Sequence, residues 1–243
     1  MKQKSTIWIF SLNKKSLRKN YKDNFENTLT FALMDLKIDK LTHQDTLIYT
    51  LSFSDFDPMQ YIDHLTSIEL ERFERFGHIK RKREFVATRI LRHSIFGHKH
   101  IHYNFVGAPF IEDEGFISIS HADKLVGIAL NPHYQIGLDL EMIEGKAQKL
   151  HSKFLNEKEL DFFDSTSKEI MTACWSSKET LYKLAGRKQI DFKKDLHLNI
   201  MEENLWKGEI INPQEIFSVN LQIIQYNNYI ITFNSSPIEI AKR

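Results

Sequence analysis

The sequence predicts an α+β fold in two halves, each pairing helices with a sheet. Two helical patterns, over 59–76 and 81–96, are set among strand-like segments in the first part. Two more, over 156–164 and 167–186, are followed by short alternating stretches that read as an antiparallel sheet. Between these groups lies Asn131-Pro132, a turn signal that divides the chain.

Taken in order, residues 6–11 have the composition of a short strand. Residues 21–36 space Phe25, Leu29, Leu33 and Leu36 as a helix would. Thr46 to Phe53 is rich in β-formers. The helix over 81–96 ends at Gly97, a residue suited to a helix C-cap. Phe116–Ser120 alternates large and small residues, Leu125–Leu130 is mostly apolar, and Gln135–Glu141 gives a third strand. The helix over 167–186 stops at Gly186, and Leu196–Ile200, Trp206–Ile211, Phe217–Ile224 and Tyr229–Phe233 supply the later strands.

Composition narrows the function. The 243 residues are enough to bury a core. Lys plus Arg number 33 and Asp plus Glu 32, so bulk charge points to no nucleic-acid partner. Charge is locally uneven: Lys80, Arg81, Lys82 and Arg83 form a basic run, either a solvated helix start or an anion site. The single cysteine, Cys174, allows no internal disulfide and fits a reducing compartment. No apolar run is long enough for a membrane span, and the Ile7–Phe10 segment is not a signal peptide, so a cytoplasmic protein is expected.

Three segments carry chemistry. In the strand Ile136-Gly137-Leu138-Asp139-Leu140-Glu141, residues two apart share a face. Asp139 and Glu141 therefore point together while Leu138 and Leu140 point to the core. Adjacent carboxylates raise one another's pKa unless a cation lies between them, and Mg2+ suits such a pair. A strand end with its polar face in water is the plainer reading.

On the helix Trp175–Lys183, Ile170, Cys174, Leu181 and Ala185 form the buried stripe, with Glu179 nearly opposite. Glu179 and Lys183 are either an exposed ion pair, worth about 0.3–0.5 kcal/mol, or part of a site. Trp175, large and aromatic on the same face, favours packing on both sides of the helix. The third segment, Ile117-Ser118-Ile119-Ser120-His121, ends a strand in Ser-His. That is a place for ligand contacts or for a satisfied structural histidine.

In this order and spacing, Ile117–His121, Gly137–Glu141 and Trp175–Lys183 resemble the Sfp-type 4'-phosphopantetheinyl transferases, across about residues 46–200. The resemblance implies a pseudo-twofold pair of α+β halves with the active site in the cleft between them. It divides the chain into an extension of unassigned role (1–45), an N-terminal half (46–132) and a C-terminal half (133–243). It implies Mg2+ on Asp139, Glu141 and Glu179, with Glu179 also as general base and Lys183 near the transferring phosphate. It places Arg83, Ser120 and His121 on coenzyme A, the co-substrate, and makes an apo acyl or peptidyl carrier protein the acceptor. The two-half architecture suggests a monomer. Gly107-Ala108-Pro109 departs from the family's Gly-Lys-Pro, and Ala122-Asp123 from its Ser-Gly. Two rival readings are another Mg2+ enzyme acting on phosphoanhydrides and a non-catalytic relative that binds a partner protein.

Overall fold

A computed structural model describes residues 36–186 and 189–241. Twelve strands and five α-helices are found among them, in two antiparallel sheets. The architecture is α+β, as the sequence predicts. The expected strand over 6–11 and most of the helix over 21–36 lie outside the described residues.

The first sheet holds β1 (Lys37–His43), β2 (Thr46–Ser52), β3 (His102–Tyr103), β4 (Pro109–Phe110), β5 (Phe116–Ala122) and β6 (Leu125–Asn131), in the spatial order β1-β2-β6-β5-β4-β3. Residues 37–43, assigned to the extension by sequence, are paired with β2 over their whole length. The helical pattern over 59–76 is two elements: a 3₁₀ helix, Pro58–His64, and α1, Ser67–Glu74. The break falls at Thr66, whose side chain caps α1 in a reciprocal box with Glu69, so a new helix starts there. The longer helix α2, Ile79–Phe96, stops at Gly97, whose φ of 59° suits glycine. Phe85, Val86 and Leu91 of α2 pack on Leu51, Val126 and Ile128 of the sheet.

The second sheet orders β7 (Leu138–Met142), β11 (Tyr229–Asn234), β10 (Ile216–Tyr226), β9 (Leu205–Ile211) and β8 (Leu196–Glu202), with β12 (Glu239–Ala241) on β10. Three helices precede β8: α3 (Gly145–Phe154), α4 (Glu157–Phe162) and α5 (Lys168–Leu184). The sequence reading had no α3. The core helix is α5, whose Cys174, Leu181 and Leu184 join Leu198, Trp206 and Leu221 of the sheet.

Between the halves lies a third apolar cluster. Ile48, Leu125 and Ala129 come from the first sheet, and Leu138, Leu140, Ile231 and Phe233 from the second. Polar contacts tie the same seam. The Ser118 and Ser120 hydroxyls accept from the N–H groups of Leu138 (3.0 Å) and Leu140 (3.2 Å). These two side chains thus satisfy β7 amides on the edge facing away from β11. Farther along, the Tyr226 hydroxyl donates to buried Asp39 of β1, which also meets Lys37 Nζ at 2.8 Å.

Candidate active site

Strand β7 sets the first carboxylate. Leu138 and Leu140 are buried in the seam, and Asp139 faces α5. Gly137 makes this approach possible: a Cβ there would meet the carbonyl oxygen of Thr180 at 2.9 Å and Leu184 Cγ at 3.0 Å. The strand starts one residue after that glycine, later than the Gln135 expected from sequence, because residues 135–137 form the close lead-in.

Asp139 is 4% exposed. Its Oδ1 accepts from Lys183 Nζ (2.9 Å) and from the Ser120 hydroxyl (3.0 Å). Lys183 Nζ also donates to the Leu138 carbonyl (2.6 Å) and to Ser120 Oγ (3.0 Å), so all three of its protons are used. Asp139 Oδ2 is buried and has no hydrogen-bond partner within the protein.

Glu141, two residues on, is half-buried and accepts from the indole Nε1–H of Trp175 at 2.8 Å. Burial, then the charge of Asp139, and more weakly that of Glu179, push its carboxyl up to about 7, against the Trp175 bond and Lys183. Glu179 lies one helical turn from both Trp175 and Lys183, half-buried, and its field reaches Glu141. The helix is covered on both sides, as Trp175 suggested: Met171, Cys174, Ser177, Lys178 and Leu181 are buried, while Trp175, Glu179 and Lys183 face the strand end.

Could these residues hold a divalent cation? Among the described residues no three His, Cys, Asp or Glu side chains stand together, as arranged, to hold a metal ion. The donors themselves fit a hard cation. They are carboxylate oxygens, one buried with no partner, beside a second carboxyl whose ionisation is suppressed by burial and then by the negative charge of Asp139.

On the first half, His121 follows Ser120 in β5. Arg81 Nη1 bonds its Nε2, and Glu84 Oε2 lies 3.3 Å from its Nδ1 and 3.0 Å from Arg81 Nη1. Burial, then Arg81 and Lys183, push the imidazole down to about 3, so it is neutral at physiological pH. A neutral ring that accepts at Nε2 donates from Nδ1, which gives Glu84 its partner. Beside it a surface cavity of about 430 Å³ is lined by Arg75, Phe76, His78, Lys80 and Arg81 among others.

Of the sequence candidates, Ser120, Asp139 and Lys183 form one bonded cluster, with Glu141 and Glu179 within its field. Ser120, expected on the nucleotide, is bonded within the protein to Asp139 and Lys183. Arg83, expected on coenzyme A, donates through Nε to the Phe56 carbonyl (2.7 Å) and through Nη1 to Asp55 (3.1 Å). The arginine that meets His121 is Arg81. It lay inside the recognised basic run; only its place on α2 singles it out. The Trp175–Glu141 bond and the role of Ser118 had no sequence signal beyond the motifs that contain them.

The Lys183 ammonium and the carboxylates of Asp139 and Glu141 thus lie at the seam between the two sheets, with Arg81 and His121 on the first half. Residues 135–234, from the lead-in of β7 to the end of β11, match the family model of the 4'-phosphopantetheinyl transferase superfamily. That stretch contains Asp139, Glu141, Glu179 and Lys183. No curated protein matches the chain. Among the described residues no helix is long and apolar enough to cross a membrane.

Proposed function

We propose that the protein is an Sfp-type transferase that moves the 4'-phosphopantetheine arm of coenzyme A onto a serine of an apo acyl or peptidyl carrier protein, releasing 3',5'-ADP. The observation that carries this reading is the Ser120–Asp139–Lys183 cluster with Glu141 and Glu179 beside it, inside the stretch that matches the superfamily model.

In this reading the carrier hydroxyl attacks the β-phosphorus of coenzyme A, and the bond to the leaving 3',5'-ADP oxygen breaks. Glu179 accepts the hydroxyl proton on its carboxylate. Lys183, oriented by Ser120 and Asp139, exchanges one of its bonds within the protein for a transferring phosphoryl oxygen. Asp139, Glu141 and Glu179 are the residues that would hold Mg2+. Bound there, the ion supplies positive charge against the pyrophosphate. Neutral His121, Arg81 and the basic cavity take the nucleotide end of coenzyme A. The protein acts as a cytoplasmic monomer in this account.

The test is transfer of labelled pantetheine from coenzyme A to a panel of apo carrier domains, with 3',5'-ADP followed in parallel. Label on the carrier serine and equimolar 3',5'-ADP are expected. Nucleotide release that is independent of a carrier would overturn the reading in favour of phosphoanhydride hydrolysis.

A further inference from the structure

The motif lysine Lys178 has no part in the chemistry above, although it adjoins Glu179. One residue along a helix turns the side chain by about 100°, and Lys178 accordingly leaves the face of Glu179 and enters the core. Its side chain is 0% exposed. Its Nζ lies within hydrogen-bond distance of the carbonyls of Phe154 (2.7 Å), Phe192 (2.9 Å) and Leu196 (2.8 Å) and of Glu159 Oε2 (2.7 Å), four acceptors that share its three protons. Glu159 is held in turn by the N–H groups of Asn156 and Leu198.

Two of these acceptors matter for the site. The ring of Phe154 meets Trp175 edge-on at 5.2 Å, and the ring of Phe192 stacks on it at 5.3 Å. Trp175 lies against both, and its indole N–H holds Glu141 at 2.8 Å. The lysine therefore fixes the backbone of both residues that wall the tryptophan.

We infer that Lys178 is a positioning residue: by holding the carbonyls of Phe154 and Phe192 it sets the slot for Trp175, and Trp175 carries that placement to the Glu141 carboxylate. This rests on the proposed transfer reaction only for its activity readout.

Lys178→Met alone leaves Glu159 buried and unpaired, a strongly destabilising state. The variant to use is Lys178→Met/Glu159→Gln, whose amide oxygen still accepts from Leu198. The first readout is the Trp175 indole N–H signal in a ¹⁵N–¹H spectrum, assigned with Trp175→Phe and referenced to Trp206, which packs on Phe163 in the same core. With the Trp206 signal in place, the Trp175 signal should leave its hydrogen-bonded position or broaden.

The second readout is transfer. kcat should fall about tenfold or more with KM for coenzyme A within about twofold. Adding Trp175→Phe should cost no more than Trp175→Phe alone, because the two act in series. An unmoved Trp175 signal in the folded variant, or losses that multiply, would overturn the inference. Should the double variant not fold, Phe192→Leu removes one wall and leaves the ion pair, and the same indole signal decides. A protein that transfers no pantetheine would refute the proposed function while the indole signal still judged this one.

Discussion

The hydroxyl of Ser120 donates to Asp139 Oδ1 at 3.0 Å, so the carboxylate at the centre of the site is held by a residue of the other half. Ser120 Oγ also accepts from Leu140 N–H and Lys183 Nζ. Ser120→Ala therefore removes three bonds at once and leaves a buried amide without a partner. A loss of about 2 kcal/mol is expected in urea unfolding. Lys183→Met should cost about 3 kcal/mol, because it strands the Asp139 charge, and should lower transfer about 100-fold or more. Asp139→Ala should abolish transfer while the fold persists. Wild-type rates in Asp139→Ala would remove that residue from the site.

Glu141 gives the site a pH dependence with a definite sign. Its carboxyl titrates near 4.5 when unfolded and near 7 in the folded protein. Between those values the folded state keeps a proton that the unfolded state has lost, so this group's contribution to stability falls as pH rises through the window. In the absence of divalent cations Glu141→Gln should lose that fall. A cation must displace the proton to bind. The melting-temperature gain from Mg2+ should thus be larger at about pH 8 than at about pH 6 in the wild type, and small at both in Glu141→Gln. Differential scanning fluorimetry across that range is sufficient.

The two arginines of α2 separate by function. Arg81 is bonded to His121 beside the basic cavity, whereas Arg83 is committed to Phe56 and Asp55. Arg81→Ala should raise KM for coenzyme A more than Arg83→Ala does. Arg83→Ala should chiefly loosen the segment around Phe56. Steady-state kinetics with both variants, together with proteolysis near residue 56, distinguishes them; the reverse order of KM would return the coenzyme to Arg83.

Gly137 sets how near β7 comes to α5. A methyl group there has backbone on one side and cannot be relieved by a side-chain rotation. Gly137→Ala should cost about 1–3 kcal/mol and should impair transfer beyond its effect on folding, since Asp139 and Lys183 would separate. Chemical denaturation, with rates taken under conditions where the variant is folded, provides the check.

Much of this was legible in the sequence where local pattern decides the outcome. The alternation at 116–120 and 138–141 and the 3.6-residue period of α2 and α5 gave element type and face. Asp139 and Glu141 side by side, and Glu179 with Trp175 and Lys183 on one face, followed from spacing alone. What could not be read depends on tertiary partners. The strands β3 and β4 have two residues each, β4 added to the edge of β5 and β3 to β4. Helix α3 differs: it spaces Ala147, Leu150 and Phe154 as a helix does, so its period was present in the sequence over a short stretch, and it packs on α5. Ser120 showed a hydroxyl near a strand end, but nothing local revealed that its partners lie on another strand and another helix. The same holds for Arg81 against Arg83: two residues apart on a helix they point differently, and only the neighbouring β5 decides which one meets His121.

The stitching of β7 by Ser118 and Ser120 bears on what can fold alone. If the polypeptide were cut near residue 134 and the later piece made by itself, two amides and the apolar side chains of Leu138, Leu140 and Phe233 would meet water. The acidic strand would then keep β11 alone to fix its register, with its other edge open, and a slip of one position would turn Asp139 away from Lys183. The region that matches the superfamily model is thus dependent on the less recognisable region before it. Expressed together as separate fragments, the two should recover a working centre only on reassociation.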